Sequence, residues 1–128
     1  MNNPEINALI KKSKERLKAA ESLLNENYSE DSVNRSYYAM YLASTALLLL
    51  KGIKFKTHKG LISAIGNEFV KTGIMDKKYG RTLNIAEEAR ENADYASFIE
   101  IEISEAREIL QNARLFVREA ERIISESE

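Results

Sequence analysis

The chain has 128 residues, enough for one domain with a single core, so residues 1–128 are read as one domain. It has no cysteine, which excludes a disulfide framework and a thiolate metal site. Charged residues make up 30% of it, yet the net charge is only -1, so overall charge does not mark a nucleic-acid binder and any such activity must come from a local patch.

Five glycines and one proline leave few breakers, which suits an all-helical protein. The opening Met1-Asn2-Asn3-Pro4-Glu5 lacks the basic-then-apolar pattern of a signal peptide. With no cysteine as well, the expected location is the cytoplasm.

The first predicted helix runs from Pro4 to Asn25. Asn3 can cap it, and Pro4 suits its first position. Ile6, Leu9, Ile10, Leu17, Ala20 and Leu24 keep three-four spacing. The short turn Asn25-Glu26-Asn27-Tyr28 implies an antiparallel neighbour. The second helix is expected to begin with Ser29 as N-cap and to run to Lys51, with Gly52 in a left-handed C-terminal position. Its stretch Ser36–Leu50 has no glycine, proline or charge and is apolar on more than one face. Such a helix is either surrounded by others or spans a membrane. A span needs about 20 apolar residues; this run is shorter and is closed by Arg35 and Lys51. It is therefore read as the central helix of a bundle.

The loop Lys51–Lys59 carries four lysines and the only histidine. Thr57 can cap a third helix with apolar positions Leu61, Ile62, Ile65, Phe69 and Val70, ending at Gly73. A fourth helix is expected from about Asp76 to Asn92, with Tyr79, Leu83, Ala86 and Arg90 as near neighbours. Asp94 to Glu102 reads as a break, with Ala93, Asp94 and Tyr95 left open as a continuation of the fourth helix. Ser104 is expected to cap a fifth helix, whose apolar positions from Ala106 to Ile124 alternate by three and four. Ser125–Glu128 are expected to fray. The fold class is all-α: an antiparallel up-and-down bundle of four long helices plus one short helix. The broad apolar surface of the second helix and the seam of the fifth suggest a homodimer.

Candidate chemistry is sparse. A single histidine excludes a multi-histidine zinc site, and the Glu-x-x-His pattern of di-iron bundles is absent; no metal or cofactor is implied. His58 and Lys59 sit in the most basic loop beside a helix N-terminus, a sensible place for phosphate. The plainer reading is an ordinary solvated loop whose histidine caps the helix or packs on Phe55. Arg90 and Asp94, four apart, form either a surface ion pair or an arginine held by a carboxylate to grip phosphate, with Tyr95 beside it. Arg35 either snorkels over apolar surface or lines a groove with Tyr38. The tyrosines are read first as core, with phenol oxygens that need partners, Arg35 or Arg90 being candidates. The acidic segment Glu87–Glu108 reads as a solvated face or a docking face for a basic partner.

Four pieces of the chain carry a resemblance: Arg35-Ser36-Tyr37-Tyr38-Ala39-Met40-Tyr41, Ala46–Gly52, Thr57-His58-Lys59-Gly60 and Ala89-Arg90-Glu91-Asn92-Ala93-Asp94-Tyr95. In this order they resemble the HEPN superfamily (higher eukaryotes and prokaryotes nucleotide-binding domain), in its small stand-alone prokaryotic branch. The resemblance implies a dimerising helical bundle that acts with a minimal nucleotidyltransferase, often as a toxin–antitoxin pair. Active members are metal-independent RNases. Their motif is an arginine followed, four to six residues on, by a histidine, brought together across the dimer. In them the ribose 2′-hydroxyl attacks the adjacent phosphate while the histidine moves a proton and the arginine holds the phosphate.

This sequence departs from the motif. Arg90 matches the arginine, but Asp94 and Tyr95 stand where the histidine is sought, and an aspartate near neutral pH is no substitute for an imidazole. The leading expectation is therefore nucleotide or RNA-phosphate binding around Arg35, Tyr38, Arg90, Asp94, Tyr95, His58 and Lys59, with Arg35 and Arg90 meeting in one pocket. The alternatives are an RNase using Arg90 with His58 supplied from elsewhere in the dimer, and a non-catalytic interaction module.

Overall fold

A computed structural model describes residues 3–95 and 100–127. It is the expected antiparallel bundle: α1 (Pro4–Asn25), α2 (Ser29–Leu50), α3 (His58–Ile65), α4 (Lys77–Tyr95) and α5 (Ile103–Glu126). A single wide π-helical turn, Gly66–Val70, prolongs α3. None of the described helices is long and apolar enough to cross a membrane.

The ends of α1 and α2 follow one backbone rule. Asn27 and Gly52 adopt left-handed φ of 68° and 69°. Each lets the next residue reach back, so that Tyr28 N–H donates to the Leu23 carbonyl at 2.8 Å and Ile53 N–H to the Leu48 carbonyl at 2.9 Å. These bonds satisfy carbonyls that a helix end otherwise leaves bare. At the other end of α1, Asn3 Oδ1 accepts from the N–H groups of Glu5 and Ile6, as its position predicts.

α2 is the axis of the molecule and touches α1, α3, α4 and α5. Val33, Tyr37, Ala39, Met40, Ala43, Ala46, Leu47 and Leu48 are buried all round it. Its wide apolar surface is thus covered within one chain. The α5 seam, Ile109, Leu110, Ala113, Phe116, Val117, Ala120 and Ile123, is also buried in the same chain. These buried positions need no second chain, whereas Leu42, Leu49 and Leu50 of α2 are only partly buried. Two hydroxyls tie α1 to α2: Ser13 donates to the Ala39 carbonyl and Ser32 to the Ala20 carbonyl, each at 2.8 Å.

Several expected boundaries move. Ser29 is the first helical residue and Tyr28 the cap, without a side-chain bond; the left-handed Asn27 has already turned the chain by then. Ser104 does not cap α5, which begins at Ile103 behind Glu102. Of the residues expected to fray, Ser125 and Glu126 stay helical and Ser127 is the C-cap; Glu128 lies outside the described residues. The third helix does not run regularly to Gly73. The widened turn, closed by Lys71 N–H donating to the Gly66 carbonyl at 2.9 Å, carries Phe69 into the core. Of the two readings open at Asp94 and Tyr95 the helical one holds, because α4 continues to Tyr95; residues 96–99 of the expected break lie outside the described residues. Gly80, an unpromising residue in a first turn, fits a close approach: a Cβ there would stand 3.3 Å from Val70 Cγ2.

Thr57 does cap α3, its hydroxyl accepting from Gly60 N–H at 2.9 Å. Thr57→Ala should therefore cost about 1 kcal/mol. Ser104→Ala, at an exposed residue that caps nothing, should stay within roughly 0.5 kcal/mol of the parent. Urea denaturation of the two variants checks both.

Candidate functional site

The site starts from three tyrosines. Positions 37, 38 and 41 of α2 bring their rings together, with centroids 5.2 Å (Tyr37–Tyr38), 6.1 Å (Tyr37–Tyr41) and 5.7 Å (Tyr38–Tyr41) apart. These are ordinary distances for edge and tilted aromatic contacts. The loop after α2 folds back over them, with Phe55 edge-on to Tyr41 at 6.0 Å. Thr57 starts α3, so His58 is the first residue of a helix and lies on the tyrosines. Its ring centroid is 4.8 Å from that of Tyr41, 5.6 Å from Tyr37 and 5.9 Å from Tyr38. His58 is thus neither the cap of α3 nor packed on Phe55.

α4 supplies the charged side. Glu87, Arg90 and Asp94 are spaced three and four apart, so they share a helix face. Arg90 donates from Nε (2.9 Å) and Nη2 (2.6 Å) to Glu87 Oε1, and from Nη1 to Asp94 Oδ2 (2.9 Å). Its guanidinium carbon stands 5.1 Å from the Tyr37 ring centroid and 5.9 Å from that of Tyr38, within cation–π range. Glu87 Oε2 accepts from the Tyr37 hydroxyl at 3.1 Å, and that same hydroxyl oxygen is 2.7 Å from His58 Nδ1. One continuous chain of contacts therefore runs His58, Tyr37, Glu87, Arg90, Asp94. Glu87 and Arg90 are only 6% and 8% exposed.

The expected residues divide. Arg90, Asp94, Tyr38 and His58 come together. Lys59 is exposed and, with Ile62, Ser63, Asn84, Glu87, Glu88 and Glu91, lines a shallow cleft beside the cluster. Tyr95, 82% exposed, ends α4 outside it. Arg35 is exposed and makes no hydrogen bond or ion pair among the described residues. No contact joins it to Arg90 among the described residues; the Arg90 guanidinium is bonded instead to Glu87 and Asp94. Arg90 and Asp94 are more than a surface pair, since the arginine is buried.

Two residues of the centre were not legible as such. Glu87 reads as part of an acidic solvated flank, yet it is the hub. A signal existed: it lies four residues after Leu83, three before Arg90 and next to Ala86, on the stripe that faces the core. Tyr37 finds a partner in Arg90 as a cation over its ring, but its hydroxyl goes to Glu87 and His58. No group of three or more metal-ligating side chains occurs among the described residues.

Electrostatics follow from the geometry. Burial pushes the Tyr37 phenol well above its ordinary value, and the charge and hydrogen bond of Glu87 push it further. Burial also raises Tyr41. For Arg90, burial works against the charged form, but the hydrogen bonds and charge of Glu87 outweigh it and the guanidinium is held charged more firmly than usual. A phenol raised on folding stabilises the protein fully below its unfolded value of about 10. That contribution is lost as pH rises further, because the unfolded chain then releases a proton the folded chain retains. Stability should therefore fall between about pH 10 and 11 with a slope of up to ~1.4 kcal/mol per pH unit from this residue. Tyr37→Phe should show a correspondingly shallower fall in urea titrations across that range.

A family model described as "HEPN domain" matches residues 6–123. A Methanocaldococcus jannaschii protein named "Putative toxin MJ0142" is 34% identical over 120 residues, covering 94% of this chain and 82% of that protein. A second from the same organism, "Putative toxin MJ0605", is 36% identical over 122 residues, covering 95% and 90%. A "UPF0332 protein" of Thermotoga maritima is 34% identical over 116 residues, covering 91% and 88%. A match spanning nearly all five helices, together with relatives similar along most of their own length, settles the family: the chain belongs to the HEPN domain family.

Proposed function

We propose that this HEPN chain is the toxin-like, cytoplasmic member of a pair whose other half is a minimal nucleotidyltransferase, and that it works as a homodimer. Its cluster around Arg90 binds a nucleotide or RNA phosphate. The relatives named as toxins support the toxin-like part of this reading. The observation that carries the site is Arg90 itself, a buried guanidinium fixed across two tyrosine rings.

The chemistry is that of a guarded cation. A guanidinium has five N–H donors, and the bonds to Glu87 and Asp94 use three of them. One N–H remains on each terminal nitrogen. At rest two carboxylates outnumber one positive charge, so a loosely held anion is repelled. Asp94 is the exchangeable partner: its side chain is 40% exposed and holds Arg90 by one bond. A phosphate oxygen displacing it would gain a charge-assisted bond, with Lys59 adding charge at the rim.

Thermal melting with mononucleotides and a short RNA tests this. A ligand at one hundred times its Kd should add about 2.7 kcal/mol of stability, seen as a rise in Tm. Asp94→Asn should enlarge the rise by removing the competitor, and Arg90→Ala should abolish it. No rise with any of these ligands rejects the site.

A second reading, metal-independent RNA cleavage, is favoured by one specific observation. His58 and Arg90 both reach Glu87 within one chain, His58 Nδ1 at 3.5 Å from Oε2 and Arg90 at 2.6 Å from Oε1. A histidine far upstream in sequence thus supplies an imidazole near the arginine without help from a second protomer. The same RNA, incubated with excess chelator, decides it: cleavage lost in both Arg90→Ala and His58→Ala supports the reading, and no cleavage by the parent chain rejects it.

A further inference from the structure

We propose that Tyr37 and Glu87 form a fixed hydrogen-bond relay that holds the His58 proton on Nδ1 and keeps the lone pair of neutral His58 on Nε2, making His58 the proton acceptor of the site. The assignment as proton acceptor rests on the RNA-cleavage reading; the relay itself does not.

The argument is a count of protons. The Tyr37 hydroxyl has one hydrogen and two close neighbours, Glu87 Oε2 at 3.1 Å and His58 Nδ1 at 2.7 Å. The Glu87 carboxylate, ion-paired to Arg90, has only lone pairs to offer. If Tyr37 donated to His58, two oxygen lone pairs would face each other at 3.1 Å with no hydrogen between them. If Tyr37 donates to Glu87, His58 must donate Nδ1–H to the phenol oxygen, and all three groups are satisfied. Burial and Glu87 hold the phenol protonated, which keeps this donor in place.

The ring has little freedom to choose otherwise. It is stacked on Tyr37, tilted against Tyr41 and rooted in the first turn of α3 by the Thr57 cap. Nε2 makes no hydrogen bond among the described residues, and the side chain is 36% exposed. Which nitrogen of a histidine carries the proton is set by what the other contacts; here a buried carboxylate sets it through a phenol. Tyr37 and Glu87 are positioning residues in this scheme. In the reaction, the ribose 2′-oxygen bonds to phosphorus as its proton passes to His58 Nε2. The P–O5′ bond breaks and the departing oxygen takes a proton from water; His58 then returns its proton to solvent.

The chain has one histidine, so the spectrum of 15N-labelled protein contains one imidazole. Long-range proton–nitrogen correlation, recorded where the ring is neutral, should show a protonated-type Nδ1 and an unprotonated-type Nε2. Glu87→Gln should invert them: the amide oxygen faces Arg90, the amide nitrogen donates to the phenol oxygen, and Tyr37 must then donate to Nδ1. Tyr37→Phe should release the ring to the Nε2–H form that predominates in free histidine. A parent spectrum with an unprotonated Nδ1, or folded variants that both keep the parent pattern, overturns the relay.

Cleavage of RNA in chelator is measured alongside and should fall several-fold in Tyr37→Phe, less than the roughly hundredfold or more that loss of the acid–base group itself costs in His58→Ala. Undiminished cleavage there overturns the positioning role. If the parent shows the expected tautomer but does not cleave, the RNA-cleavage reading and His58's role as acceptor both fail, while the relay stands.

Discussion

A charged pair buried between two helices organises this molecule. Glu87 and Arg90 lie three apart on α4 and face α2 rather than water. Taking two ions out of solvent costs several kcal/mol each, and their attraction repays this only when their remaining lone pairs and protons are satisfied. Here they are. One carboxylate oxygen takes two N–H bonds from Arg90, the other takes the Tyr37 hydroxyl, and the outer end of the guanidinium reaches Asp94. The tyrosine rings beneath supply cation–π contact in place of hydration.

The pair also fixes geometry. Because Glu87 reaches Tyr37, it sets how α4 meets α2. Because Tyr37 reaches His58, it sets where α3 begins relative to both. A hydrophobic replacement of the same volume could match the stability but would place none of these groups. That an ion pair persists there is consistent with its use as a positioning device. It links an arginine suited to phosphate with an imidazole suited to proton transfer, through groups that have no freedom to rearrange independently.

Much of the fold could be read from the sequence, because apolar spacing and helix ends are local. α1 was readable to the residue from Asn3, Pro4 and the turn after Asn25, and Gly52 took its left-handed φ. Where the reading failed, the cause was nonlocal or a matter of backbone closure. Ser29 and Ser104 have capping side chains that the backbone does not use. The wide turn at Gly66–Val70 has no composition signal. In the site, Arg90 and Asp94 were visible as a pair four apart, whereas Glu87 was hidden among its acidic neighbours on the same helix. Tyr37 and His58 are separated by 21 residues, and only the return of the loop onto α2 joins them. Arg35, prominent in the sequence beside the tyrosines, stays at the surface.

The claim on which the account depends is that Glu87 and Arg90 act as one buried unit. A double-mutant cycle combining Glu87→Gln with Arg90→Met, read by urea denaturation, tests it directly. Each single change strands the other partner, so the losses should not add, and the coupling should be about 2 kcal/mol. Additive losses, with coupling below about 0.5 kcal/mol, would mean that the two residues stand independently, and the account built on them would be wrong.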